Sequence, residues 1–217
     1  MRDAHLSGKF NAGTWPEMLD LLRDHTRIAG ITEAREVDVE GWERDGRHEA
    51  DVLWRDWEPL DEGVLKLHTG PWMRGSREMH SVDLHWKLLA HPEDRWKLLR
   101  PVGHFPAHLY NPSQHRAHTA AVGQVSGLLA ELAKKVRADE TTMSADFNME
   151  LNLSRNRRPL ERHGFRVVAP HAATHGIRTI DGFLTTMRGT ADVLPRMSGF
   201  DHKAVTARLF RNEKENR

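Results

Sequence analysis

Five places in the chain put an acid, an amide or an imidazole where a hydrophobic run stops: Asn11, Glu33, His104, Asp146 with Asn148, and Asp181, followed by the pair Asp201-His202. One carboxylate in such a position is ordinary. Several gathered in one cleft repel one another strongly unless a cation neutralises them. A hard divalent ion is the natural remedy: Mg²⁺ prefers oxygen ligands, keeps several waters, and uses one or two carboxylates together with a phosphate of its substrate. Within Ser144-Ala145-Asp146-Phe147-Asn148, alternation along an extended chain places Asp146 and Asn148 on one side and Phe147 in the core. The amide can then donate to a phosphate oxygen while the carboxylate orients or deprotonates a water.

Each residue also has a local explanation. Asn11 ahead of Gly13 is good turn chemistry, Glu33 opens an acidic run, and Asp201-His202 after Gly199 fits an ordinary loop. Two polar residues flanking Phe147 are harder to explain that way. His104 with His108 and His115 with His118 have zinc-like spacings, but Pro106 breaks the helix that the first pair needs, and zinc accounts for none of the strand-end carboxylates. His104 is preferred to His108 for phosphate contact because it directly ends a strand. Arg155, Arg157, Arg158, Arg162 and Arg166 follow Asn148 closely and suit either a solvated loop or a grip on a phosphate backbone. Trp54, Trp57 and Trp72 serve equally as core residues or base-stacking surfaces.

The elements that must position these groups follow from pattern. A strand is expected over His5 to Phe10, then a helix from Thr14, with Thr14 as N-cap, Pro16 in the first turn and Glu17 completing a capping box. Ile28 to Thr32 is a buried strand ending at Glu33. Asp51 to Trp57 and Gly63 to His68 are strands, and Ser81 to Leu89 pairs with Trp96 to Gly103 across His91-Pro92-Glu93-Asp94. A helix from Gln114 to Arg137 carries Val122, Val125, Leu128, Leu129 and Leu132 on one stripe, with Lys134, Lys135 and Arg137 near its C-terminal end. Strands over Thr142 to Phe147, Arg178 to Thr185 and Ala204 to Phe210 complete the set. Such an order suggests α/β layers, which place ligand sites at strand ends.

Composition narrows the field. The 217 residues, 38% of them hydrophobic, suffice for one compact domain over 1–217, and no internal repeat or linker divides them. Net charge near +1 excludes a histone-like polycation, although Glu33 to Glu62 holds twelve acids against four Arg. The absence of Cys excludes disulfide scaffolds, thiolate zinc clusters and cysteine nucleophiles. Met1 to Ala12 has no apolar leader core, and no stretch approaches the ~20 apolar residues needed to cross a bilayer. A cytoplasmic monomer is the expectation.

In order along the chain, these motifs resemble those of the endonuclease/exonuclease/phosphatase superfamily. Phe10-Asn11 is similar to the first-strand Asn, Gly30-Ile31-Thr32-Glu33 to the Q-E motif, and Gly103-His104-Phe105-Pro106 to the T-H-L-P histidine. Ala145-Asp146-Phe147-Asn148 resembles G-D-F-N, Thr179-Ile180-Asp181-Gly182-Phe183 resembles R-I-D-Y-I, and Gly199 to Val205 resembles the terminal S-D-H-x-P-V. Thr32, Ala145, Gly182, Phe200 and Ala204 depart from the pattern, and every charged or amide member stays in place.

The resemblance implies a four-layer α/β/β/α sandwich of two packed mixed sheets, DNase I-like, in a compact version. It also implies cleavage of a phosphodiester, with nucleic acid as substrate, by in-line attack of water in the presence of Mg²⁺ or Mn²⁺. On that basis Glu33 and Asp201 are metal ligands and Asp146 activates the water. Asn148 and Asn11 bind phosphate oxygens, and His104 contacts another. His202, oriented by Asp181, is the acid/base group. Arg155, Arg157 and Arg158 bind substrate. A binding module that has lost turnover and a small-molecule phosphoesterase are the competing expectations.

Overall fold

The computed structural model describes residues 1–7, 22–23, 26–33, 40–44, 50–71, 79–105, 115–194 and 201–211. In chain order the elements are β1 (Arg2–Leu6), β2 (Ile28–Thr32), β3 (Glu43–Arg44), β4 (Ala50–Trp54), β5 (Glu58–Pro71), β6 (Met79–Ala90) and β7 (Lys97–His104). There follow α1 (His115–Val136), β8 (Glu140–Asp146), α2 (Ser154–Leu160), β9 (Arg166–Val168), β10 (Asp181–Thr185), β11 (Arg188–Val193) and β12 (Val205–Phe210). The strands form two six-stranded mixed sheets, ordered β11-β12-β1-β2-β4-β3 and β5-β6-β7-β8-β10-β9.

Burial explains which strands are central. Every residue of β2 and of β8 is buried, as required of strands covered on both faces, whereas edge strand β11 alternates exposed with half-buried positions. Inside the sandwich Ile28, Val52, Trp54, Leu98, Val102, Phe183, Val205 and Leu209 pack together. On the outer face of the second sheet, Val122, Val125 and Leu129 of α1 meet Leu84, Met143, Phe147 and Leu184, each such side chain contributing roughly 1.5–3 kcal/mol on burial. The outer face of the first sheet, Ala4, Leu6, Ala29, Ile31 and Leu53, is covered by Leu22, in a helical segment, and Trp42. The layers are therefore α/β/β/α.

Topology decides where the strand ends go. β1 and β2 are parallel, as are β7 and β8, so each pair stops at a common edge, and His104 is the register partner of Asp146. β10 runs antiparallel to β8 and so begins at that edge, with Asp181 directly opposite Asp146. β12, antiparallel to β1, starts just after His202. Across the interior, β1 and β2 pack against β7 and β8.

Several boundaries differ from expectation. β1 spans Arg2–Leu6 rather than His5 to Phe10, so the residue after the strand is Ser7. Asn11 and the helix expected from Thr14 lie outside the described residues, apart from helical Leu22 and Arg23, as do His108, Trp72 and Gly199 with Phe200. β10 starts at Asp181 and not Arg178, because residues 174–178 fold into a tight turn bridging His175 to Arg178. The short elements β3, β9 and α2 and the edge strand β11 were not anticipated. α2 has Pro159 inside it and no side-chain cap, so it lacks the usual start signal. Trp54 and Trp57 are buried core residues, unavailable for stacking on a base.

Candidate active site

The common edge brings Glu33, His104, Asp146, Asn148, Asp181 and His202 to one end of the sandwich. Asp146 closes β8 and is only 2% exposed. Its Oδ1 accepts the Asn148 backbone N–H at 2.8 Å, and its Oδ2 accepts from Asn148 Nδ2 at 3.2 Å. The amide and the carboxylate are together for a reason other than strand alternation. β8 stops at Asp146, and Asn148, with φ of 49°, turns back on it in an Asx-type turn that Asn tolerates well. Asn148 Nδ2 also donates to the Phe105 carbonyl, and Arg178 Nη2 donates to the Asn148 carbonyl at 3.1 Å, so the turn is held from three sides.

His202 and Asp181 form a buried dyad, with Nδ1 of the ring 2.9 Å from Asp181 Oδ2. That leaves Nε2 aimed at Asp146 Oδ2, 4.0 Å away, while His104 Nε2 approaches the same oxygen at 3.6 Å. The Asp181 backbone is pinned in turn, since Thr174 Oγ1 accepts the N–H groups of Ile180 and Asp181 at 3.0 and 3.2 Å. Burial works against charge on His202, but the hydrogen bond and charge of Asp181, helped by Asp146 and Asp201, outweigh it and push the ring up to about 9. Burial likewise opposes charge on Asp181, yet its two imidazole neighbours, His202 and His5, hold it well below the usual carboxylate range. Asp146 moves the other way: burial first, then the charge of Asp181, raises it, with Glu33 adding to the effect and His202 only partly opposing it.

The acids thus divide into a satisfied member, Asp181, and a charge-rich side, Asp146 with Glu33. Glu33 follows β2, is half-buried, and takes φ of 62°, an uncommon left-handed conformation for a non-glycine residue. Carboxylate oxygens beside imidazoles suit a hard divalent cation, and Asp146 is raised first by burial and then by the charges of Asp181 and Glu33. Ligand-capable atoms of Asp146, Asp181 and His202 lie within 4.8 Å of one another, as do those of His175, Asp201 and His202. Asp201 is exposed, and its Oδ1 accepts the His202 N–H at 3.1 Å.

The arginines are distributed differently. Arg157 on α2 donates to the Val167 carbonyl at 2.6 Å and pairs with Glu161 at 3.5 Å, so its guanidinium serves the fold. Arg155 and Arg158 are exposed on the same helix, which packs on α1 and β9. Arg178, not singled out from the sequence, is the arginine bonded to the Asp146–Asn148 turn. Four further groups escaped sequence reasoning. His5, fully buried, faces Asp181 Oδ1 at 3.5 Å. The His175 ring lies 4.5 Å from that of His202. The hydroxyls of Ser7 and Thr32, at the ends of β1 and β2, are buried without a hydrogen-bond partner among the described residues. A signal for His5 and Ser7 existed: Asp3, His5 and Ser7 recur with period two, so that β1 turns a polar stripe inward.

No protein-family model matches the chain, and no curated protein matches it in sequence. Solved structures do match in fold. An endonuclease/exonuclease/phosphatase from Bacteroides vulgatus aligns with TM-score 0.71 at 13% identity, over 97% of this chain and 98% of that one. A mannosyl-6-phosphatase of Bacteroides thetaiotaomicron aligns with TM-score 0.70 at 11% identity, over 97% and 99%. The human Nocturnin catalytic domain with bound sulfate aligns with TM-score 0.69 at 12% identity, over 97% and 93%. Two facing mixed sheets with helices outside them, aligned over nearly the whole length of these structures, give the chain the DNase I-like fold of the endonuclease/exonuclease/phosphatase superfamily.

Proposed function

We propose that the chain, as one domain over residues 1–217, is a divalent-metal-dependent phosphodiesterase that hydrolyses nucleic acid. The observation that carries this reading is the His202 ring held on Asp181 at 2.9 Å with its free nitrogen turned toward Asp146. A charged imidazole and a carboxyl 4.0 Å apart frame a position from which one group donates to a phosphate oxygen while the other takes a proton from attacking water. His104, partly exposed beside the same carboxyl, contacts a second phosphate oxygen, and the Asn148 amide orients the carboxyl. Glu33 and Asp146, with Asp201 nearby, would hold Mg²⁺ or Mn²⁺, which when bound supplies electrophilic stabilisation of the phosphoryl group.

The test is turnover of plasmid DNA, RNA and bis-p-nitrophenyl phosphate with Mg²⁺ or Mn²⁺, against the same mixtures with EDTA. Metal-dependent cleavage lost on chelation supports the assignment, and binding without cleavage supports a non-catalytic module. The commitment of Arg157 to Val167 favours a second reading, a small-molecule phosphoesterase, because it removes one arginine from the expected polynucleotide grip. Arg155→Gln with Arg158→Gln separates the two readings. A nuclease is expected to show KM for polynucleotide raised several-fold and a salt slope shallower by about one to two. An unchanged KM and salt slope assign the small ester.

A further inference from the structure

Behind the dyad, a line of buried polar groups crosses the sandwich from sheet to sheet. Arg100 of β7, completely buried, pairs with Asp3 of β1 through Nε at 2.8 Å and Nη2 at 2.9 Å. The same Nη2 donates to Ser144 Oγ at 2.9 Å. Ser144 Oγ lies 3.0 Å from His5 Nδ1, and His5 Nε2 faces Asp181 Oδ1 at 3.5 Å. Gly30 makes the crossing possible: a Cβ there would sit 2.1 Å from Ser144 Oγ and 2.9 Å from Arg100 Nη2.

Counting protons along this line gives it a direction. A guanidinium only donates, so Ser144 Oγ accepts from Arg100 and has its single hydrogen free to give to His5 Nδ1. A neutral imidazole that accepts at Nδ1 carries its hydrogen on Nε2, the atom facing Asp181. His5 Nε2 and Asp181 Oδ1 are both buried, lie 3.5 Å apart, and have no hydrogen-bond partner among the described residues. The opposite tautomer would set a nitrogen lone pair against a carboxylate oxygen and leave both unsatisfied. Burial pushes the His5 ring below its ordinary value despite the pull of Asp181, in keeping with a neutral ring.

We propose that His5 is a positioning residue: Arg100, acting through Ser144, sets its tautomer, and its Nε2–H holds Asp181 Oδ1 so that Oδ2 meets His202. This rests on His202 being the group that acts on phosphate. Rings on both sides of one carboxylate fix its plane, which a single partner would leave free to rotate.

The test begins with ¹⁵N-histidine-labelled protein at pH 5–8, with His5 assigned by loss of its signal in His5→Gln. The expected His5 ring is neutral and protonated at Nε2, and Ser144→Ala mixes the tautomers. A ring protonated at Nδ1, or at both nitrogens, overturns the proposal. In parallel, turnover of bis-p-nitrophenyl phosphate is measured with Mn²⁺. The Gln amide can place an N–H where Nε2–H stood, so His5→Gln is expected to keep kcat within about threefold. His5→Leu is expected to lower kcat about 10- to 100-fold with KM unchanged. Equal losses in the two variants also overturn it. A parent protein without turnover refutes the hydrolase assignment, while the ring measurement still decides the proton order.

Discussion

Asp146 closes β8, Asp181 opens β10, and the two are cross-strand partners at one edge of one sheet, both buried. Their surroundings nevertheless drive them apart. Asp181 lies between two imidazoles and remains ionised, whereas Asp146 meets a backbone N–H, an amide and two more distant rings, with Asp181 and Glu33 adding negative charge. Neighbouring carboxyls pushed in opposite directions are the usual mark of divided labour in an active site, one holding a partner and the other exchanging protons or binding a cation. The difference arises from what the opposite sheet and the loops present to each carboxyl, since residue type and depth are the same.

The most severe way to break this comparison is Asp146→Asn. Turnover is expected to fall on the order of 10³-fold. Stability should move the other way. A carboxyl whose pKa is raised by folding binds more protons folded than unfolded, so its contribution is lost as pH rises above the ordinary 3.8. Removing it at pH 7, with no metal added, should raise Tm by about 2–4 °C per kcal/mol relieved. Mg²⁺ should stabilise the parent and not the variant. A variant both inactive and less stable in calorimetry would make Asp146 a structural residue.

Asp181→Asn tests the other partner, with an expected loss in kcat of roughly 10²-fold. The alkaline limb of the pH–rate profile should move from about 9 toward the ordinary 6.5 of His202. A profile that stays in place would separate the two residues functionally.

The same pair makes a stability prediction. The His202 pKa is raised by folding, so its contribution is complete below 6.5 and lost as pH rises through about 9. That is about 3 kcal/mol, counted once for the pair. Urea titrations of the parent should show the loss between those limits, and Asp181→Asn should be nearly flat there. Asp181 itself contributes above 3.8, and this is lost as pH falls below it.

The smallest expected effect sharpens the comparison from behind. Gly30→Ala would press on Ser144 Oγ and Arg100 and should cost roughly 1–3 kcal/mol, less when combined with Ser144→Ala. Equal costs in both backgrounds, read from urea midpoints, would mean that the crowding does not involve Ser144.

How much of this was legible depended on signal strength. β2, the β6–β7 hairpin and α1 announced themselves through continuous burial, a tight turn and a helical stripe, because each satisfies its own backbone and buries its own apolar face. β9 and β11 carry little pattern because they lie at sheet edges, and α2 breaks helix rules with Pro159. The polar groups gathered at this edge from described strands and turns were visible as polar interruptions of apolar runs. The bond from Arg157 to the Val167 carbonyl was not legible, because an arginine in a sequence does not show which carbonyl it meets.

By itself, then, the sequence determined which side chains stand at strand ends, since alternation and burial are local and the polar interruptions are read residue by residue. Only the tertiary structure decided that Asp181, expected to orient His202, also faces His5 across the sandwich, and that Asp146 is buried beside it with its carboxyl pushed upward. Those outcomes depend on distances between groups up to 176 positions apart, as for His5 and Asp181, which the stacking of two sheets sets and no local pattern encodes.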